Sequence, residues 1–224
     1  MAVMQPADRR AFILAETRLL PVAHVPEISL HVADEALDIW QKTEDQLAEI
    51  GLPAPFWAFA WAGGQALARY VLDTPDIVRG RTVLDFASGS GLVAIAAMMA
   101  GARKAVASEI DDFALEAIRV NAEANGVEVE VAAGDLTETE GGDFDIVFAG
   151  DVFYERPMAE KLLPWLDGFV ARGVPVLVGD PGRAYLPKGR LGECATYQVP
   201  VIRDLEDSEI RKTTVWRLDP PAAA

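Results

Sequence analysis

Cysteine is almost missing from this 224-residue chain: Cys194 stands alone, so no intramolecular disulfide can form. Histidine is nearly as scarce, and His24, His31 and one thiol cannot assemble a Cys/His zinc site. A reducing compartment fits both shortages. Cations are also in deficit, 20 Lys+Arg against 35 Asp+Glu for a net charge of −15, which disfavours a nucleic-acid backbone as partner and leaves basic protein segments as better ones. Long hydrophobic runs are lacking too. The longest uncharged apolar run, Leu92 to Ala102, is too short to span a bilayer. The N-terminal residues lack the order of charge, apolar core and cleavage site of a signal peptide, and Asp8 and Glu16 among Arg9, Arg10 and Arg18 disfavour a transit peptide. The expectation is a soluble cytoplasmic protein with no membrane partner. No internal repeat, low-complexity tract or interdomain linker interrupts the chain, and 51% hydrophobic with 25% charged residues suits one sizeable globular core.

What is present begins with Thr82-Val83-Leu84-Asp85-Phe86-Ala87-Ser88-Gly89-Ser90-Gly91, a strand running into a small-residue loop and then a helix. Gly89 and Gly91 let backbone approach a ligand where a side chain would collide. Glu109 ends the next strand, where folds of this kind hydrogen-bond a ribose diol. The pattern points to an adenosine cofactor. Gly89-Ser90-Gly91-Leu92-Val93-Ala94 formally satisfies the dinucleotide fingerprint, so a nicotinamide-linked oxidoreductase is a legitimate alternative. Asp85 argues against it, because a pyrophosphate repels a second negative charge, whereas the ammonium and sulfonium of S-adenosylmethionine (SAM) attract one. The loop resembles motif I of class I SAM-dependent methyltransferases, with Ala87 in place of the first glycine; a positive φ at Ala87 would be strained.

Further residues gather around that loop. Asp135, closing a third strand, is placed to accept from the adenine amino group. A fourth strand runs into Gly150-Asp151-Val152-Phe153-Tyr154 and sets a carboxylate and a phenol where an acceptor would sit. Methyl transfer is an in-line displacement, so positioning the nucleophile supplies most of the gain. Asp151 would orient a lysine ammonium and Tyr154 would hold the amine once deprotonated; packing of Tyr154 and helix capping by Asp151 is the plainer alternative. Pro55-Phe56-Trp57-Ala58-Phe59-Ala60-Trp61-Ala62-Gly63-Gly64 brings aromatics for a sulfonium and, at Gly63, room for the methionine moiety. The spacing of Trp57 and Trp61 predicts one shared helix face. Asp180 and Arg183 would either shape the acceptor pocket or pair with each other as a loop clasp, of which the clasp is expected, and His24, His31 and Cys194 are expected to be structural.

The periodicity predicts helices over 6–20 (ended by Pro21) and 35–50, with a short strand at 27–32 between them. It then predicts helix 64–73, strand 82–86, helix 90–101, strand 104–108, helix 112–125, strands 127–132 and 144–149, helix 155–172 and strand 174–179. Segments 195–202 and 213–218, joined by a short charged stretch, read as an antiparallel hairpin, since such a connection cannot hold a helical crossover. The expected fold is α/β: a seven-stranded Rossmann-like methyltransferase sheet, mostly parallel with an antiparallel C-terminal hairpin, plus N-terminal helices. Residues 1–52 would be a helical extension or lid, 53–219 the SAM-dependent domain and 220–224 a frayed tail.

With these residues assembled, the chain resembles the seven-β-strand methyltransferases, and more narrowly the bacterial branch of the electron transfer flavoprotein β-subunit lysine methyltransferases, a branch often labelled nicotinamide N-methyltransferase-like. The likeness spans roughly 55 to 218. It is carried by Pro55-Phe56-Trp57, Trp61-Ala62-Gly63-Gly64-Gln65-Ala66-Leu67, Leu84–Gly91, Asp151-Val152-Phe153-Tyr154 and Gly179-Asp180-Pro181-Gly182-Arg183. The resemblance implies SAM bound by Asp85, Ala87, Gly89, Gly91, Glu109 and Asp135 with Trp57, Trp61 and Gly63 nearby, and Asp151 and Tyr154 engaging a lysine. It implies as substrate the flavoprotein β subunit, with ribosomal protein L7/L12 as a further bacterial acceptor. A small-molecule amine methyltransferase and a non-catalytic SAM-binding module stand as alternatives.

Overall fold

The computed structural model describes residues 6–33, 54–201 and 209–221. Helix α1 (Pro6–Glu16) is followed by a two-stranded antiparallel sheet, β1 (Arg18–Val22) and β2 (Val25–Val32). This corrects the helix expected over 6–20. Pro21 does not end a helix but sits in a short strand beside a register shift, where a missing N–H is tolerated. The helix expected over 35–50 lies outside the described residues.

From Ala62 onward the chain alternates: α2 (Ala62–Asp73), β3 (Thr82–Phe86), α3 (Leu92–Met99), β4 (Lys104–Glu109), α4 (Asp112–Ala124), β5 (Glu130–Ala133), β6 (Ile146–Gly150), α5 (Arg156–Ala171) and β7 (Val176–Asp180). The chain then forms β8 (Leu191–Pro200) and β9 (Ile210–Leu218). One seven-stranded sheet takes the order β5-β4-β3-β6-β7-β9-β8. Its pairings from β5 to β7 are parallel, and β9 is antiparallel to both β7 and β8. The mostly parallel sheet with an antiparallel C-terminal hairpin is therefore the observed architecture.

Strand alternation divides the core. Val83, Ile146, Phe148 and Leu177 face a cluster with residues of α2, α3 and α4 and of the N-terminal hairpin. Their neighbours Leu84, Val147, Val176 and Val178 face the other side, against Leu162, Leu166 and Phe169 of α5. Both faces are covered, which is why these strands read as nearly continuous apolar runs. A third cluster joins Ile13 of α1 to Trp57, Phe59, Phe113 and Ala117.

The N-terminal unit is fastened to α4. Arg9 reaches Asp112 at 2.5 Å and Arg10 pairs with Glu116 and Glu123. The amide of Asn125 exchanges two hydrogen bonds with the Ser29 backbone, as a neighbouring strand would. Among the described residues no helix is long and apolar enough to cross a membrane.

Candidate active site

In a parallel sheet the ligand crevice opens beyond the carboxyl ends of the strands where the chain reverses its direction of winding. Here β3 is that point: successive strands run outward to β4 and β5, then return to β6 and β7 on its other side. A cavity of about 740 Å3 lies there, lined by residues from the ends of β3, β4, β5 and β6, from α5 and from the aromatic segment ahead of α2.

Two helices aim their N-termini at this crevice, and neither caps itself. Gly91 precedes α3 with no side chain to offer, and Trp61 precedes α2 with no capping bond. An acid at a strand end serves each instead. Asp85 of β3 accepts from the Ala94 N–H at 3.0 Å and from the Ser88 hydroxyl. Asp151, just after β6, accepts from the Gly63 N–H of α2 through Oδ2. Each carboxylate satisfies an amide the helix leaves free and lies at the positive end of its dipole. Both are nonetheless buried, which pushes Asp85 up to about 7 and Asp151 up to about 6.

The β4–β5 end of the cavity is polar. Glu109 Oε1 accepts from the Gly89 N–H at 2.7 Å and Oε2 from the Ile110 N–H at 3.0 Å, leaving acceptor capacity on both oxygens. Burial, with a smaller push from the Asp111 charge, raises its pKa against the backbone N–H groups of Gly89, Ile110 and Asp111. Beside it the Ser108 hydroxyl is buried without a hydrogen-bond partner and lines the cavity. Asp135 Oδ1 accepts from the Thr137 N–H and hydroxyl, and Oδ2 meets Lys161 Nζ at 2.6 Å. Burial would raise Asp135, but the Lys161 ammonium and the Thr137 donors outweigh it and hold the carboxyl below its ordinary value.

Aromatics roof the crevice. Trp57 is 2% exposed and stacks on Phe113, with ring centroids 6.3 Å apart and planes at 10°. Trp61 donates from Nε1 to the Phe56 carbonyl at 2.9 Å. The shared helix face expected for the two tryptophans is not found: Phe56–Ala58 is a single 3-10 turn, Phe59 is extended, and Trp61 stands at the start of α2. Both rings still line the cavity.

The β6–β7 end is held by close backbone contact. A Cβ on Gly63 would fall 2.1 Å from the Gly179 carbonyl oxygen and 2.5 Å from Asp151 Oδ2. Asp151 itself adopts φ +57, and its N–H donates to the Gly179 carbonyl at 2.9 Å. Asp151 Oδ1 accepts from Arg183 Nη2 at 2.7 Å and Nε at 3.1 Å, and the guanidinium carbon lies 5.9 Å from the Trp61 ring centroid. The clasp expected between the Asp180 and Arg183 side chains is different in kind. Asp180 Oδ1 accepts from the backbone N–H groups of Gly182 and Arg183, and the Arg183 guanidinium reaches Asp151. Tyr154 is 49% exposed, its ring 6.5 Å from that of Phe56.

The cavity wall includes Trp57, Trp61, Ala87, Gly89, Glu109, Asp135, Asp151 and Tyr154. Asp85, Gly63 and Gly91 lie behind it and shape the loops that form it. Sequence reading missed Ser108, which looked like an ordinary strand residue, and Lys161, which a helical pattern presents as a solvent-facing cation.

Known proteins agree with this architecture. The family model of ribosomal protein L11 methyltransferase (PrmA) matches residues 65–152. Among solved structures, an RNA methyltransferase from Salinibacter ruber in complex with S-adenosyl-L-homocysteine superposes with a TM-score of 0.50 at 24% identity, covering 70% of this chain and 92% of that one. A ribosomal protein L11 methylase from Lactobacillus delbrueckii subsp. bulgaricus does so with a TM-score of 0.50 at 22% identity over 71% of this chain and 79% of that one. These likenesses show the fold. Curated relatives are nearer. The electron transfer flavoprotein β-subunit lysine methyltransferase of Rattus norvegicus is 37% identical over 87% of this chain and 78% of its own length. That of Xenopus laevis is 37% identical over 94% of this chain and 87% of its own. Identity at this level along nearly the whole chain, on the strand order and crevice described above, shows that the chain belongs to the electron transfer flavoprotein β-subunit lysine methyltransferase family.

Proposed function

We propose that this protein transfers methyl groups from SAM to lysine side chains of the electron transfer flavoprotein β subunit. The observation that carries the reading is a cavity with two chemically different ends in a chain so closely related to these enzymes. Ser108, Glu109 and Asp135 supply an unpartnered hydroxyl and two carboxylates over β4 and β5, a donor set that suits a ribose and an adenine. Trp61, Asp151 and Tyr154 supply aromatic faces and a carboxylate over β6 and β7, which suits cations.

Glu109 is the ribose acceptor in this reading, Asp135 faces the adenine amino group, and Ala87 and Gly89 present backbone to the cofactor. Trp57 and Trp61 cover it, while Asp85, Gly63 and Gly91 set the loops. Bound there, SAM supplies an electrophilic methyl group on a sulfonium. Asp151 attracts the incoming lysine ammonium, whose ordinary pKa near 10.4 requires that it lose a proton, which passes to water, before it can act as nucleophile. Tyr154, at the mouth, aligns the neutral amine, and the aromatic walls exclude water so that the aligned pair is held for in-line displacement. The chain's net charge of −15 suits approach to a lysine-bearing surface.

The test is transfer of isotope-labelled methyl from SAM to purified electron transfer flavoprotein and, separately, to L7/L12, with mass spectrometry locating the modified residue. Labelled flavoprotein lysine that disappears with Asp151→Asn, while SAM still binds, is the expected result. SAM binding with no label on either protein would move the acceptor to small amines or other proteins. Stabilisation by a nicotinamide dinucleotide and not by SAM would overturn the cofactor.

A further inference from the structure

If Asp151 meets the acceptor, something must fix which of its oxygens is offered and keep it charged while buried. Its surroundings are specific. Among the described residues, Oδ2 takes only the Gly63 N–H, whereas Oδ1 takes two donors from Arg183. A carboxylate has about four acceptor positions, so Oδ1 is filled and the open position belongs to Oδ2. Arg183 is itself anchored: its N–H and that of Gly182 bind Asp180 Oδ1 at 2.7 and 2.6 Å, and its guanidinium lies over Trp61. Three segments that are distant in sequence thus converge on one carboxylate: the start of α2, the loop after β6 and the loop after β7.

We propose that Arg183 is the positioning residue of the acceptor site, holding Asp151 Oδ1 so that the carboxylate stays ionised and presents its remaining lone pair to the lysine ammonium. The inference rests on the reading of this end of the cavity as the lysine site. Among the described residues, Arg183 is the charged group that favours the ionised form of Asp151, and Asp180 at the end of β7 opposes it. From α2 comes the Gly63 N–H and no acid in the first turn, and on its own loop Tyr154 and Glu155 follow. Even with Arg183 and the Gly63 N–H opposing it, burial holds Asp151 up at about 6, so it has little margin near neutral pH. Without the guanidinium it is largely protonated there, and it stops attracting a cation.

The experiment compares the full-length protein with Arg183→Leu and Arg183→Lys. Asp151 is titrated by carbon-13 NMR of its carboxyl, assigned through Asp151→Asn; SAM affinity is measured by calorimetry, and methyl transfer to the flavoprotein is followed from pH 6 to 9. In Arg183→Leu the Asp151 titration moves up by about two pH units, the loss of one close opposite charge. Transfer at pH 7 falls by about tenfold or more, partly recovering at high pH, and SAM affinity stays within about twofold. Arg183→Lys keeps the charge without the planar two-donor grip, so its titration stays near that of the parent and its transfer is intermediate. An unmoved Asp151 titration in Arg183→Leu, or equal losses of SAM affinity and transfer, would overturn the proposal. If the parent protein labels neither the flavoprotein nor L7/L12, the acceptor is wrong, and the NMR titration still decides whether Arg183 governs Asp151.

Discussion

Ala87 stands in the cofactor loop at φ +50, in the left-handed region where a Cβ crowds the following carbonyl. The motif that this loop resembles is usually written with glycine there, and nothing in the fold releases Ala87 from the same backbone. Ala87→Gly relieves that crowding at some cost in chain entropy, so we expect a net gain of about 0.5–1 kcal/mol, read as a higher urea midpoint with an unchanged slope. Glu109 tests the neighbouring wall. Its oxygens already hold Gly89 and Ile110 and still have room for a ribose, so Glu109→Ala should weaken SAM binding at least tenfold, about 1.4 kcal/mol, by calorimetry. Unchanged affinity would make Glu109 a loop brace and nothing more.

Two adjacent glycines in α2 divide sharply by environment. Gly63 has no space, since its Cβ would overlap the Gly179 carbonyl of β7, which is main chain and cannot turn aside. Gly64 has nothing within 4 Å of its would-be Cβ. We expect Gly64→Ala to stabilise by about 0.5–1 kcal/mol, because alanine is the better helix residue, and Gly63→Ala to destabilise by about 3 kcal/mol or more. Thermal melts of the two variants would show opposite shifts; equal shifts would mean that α2 can slide away from the sheet. The pair also marks what sequence alone makes legible. Strand β3, the small-residue loop and Glu109 were readable because they are local: an apolar run, glycines where φ is positive, an acid at the next strand's end. Pro21 misled because its helix-ending habit is general, whereas its place at an irregular strand pairing is set by β2. The capping of α2 by Asp151 was hidden for the same reason, since capping signatures are sought next to a helix and this acid arrives from far along the chain.

Taken whole, the molecule buries carboxyls whose charge it disfavours. Asp85, raised to about 7, and Asp151, raised to about 6, have folded values above the ordinary 3.8, so between these limits the native state binds more protons than the unfolded one. Their contribution is therefore fullest below the unfolded value and is lost as pH rises through 6 and 7. Exposed pairs such as Glu27 with Arg69 have lowered carboxyls and run the other way, losing stability only at lower pH. The melting temperature should accordingly peak near about pH 5 and fall toward pH 8. Asp85→Asn, which keeps an oxygen for Ser88 and Ala94, should flatten that decline; an equally steep fall would place its origin in the net charge.

The nesting of β9 between β7 and β8 has a consequence for biosynthesis. The chain makes β8 before β9, yet β8 has no partner in the sheet until β9 arrives. Until then a nascent protein carries β7 with one edge open and β8 unpaired, each a template for strand addition by another chain. Closure waits on β9, so a translation pause or premature stop ahead of Ile210 would release a species prone to aggregate, with the cofactor crevice's own strands already made.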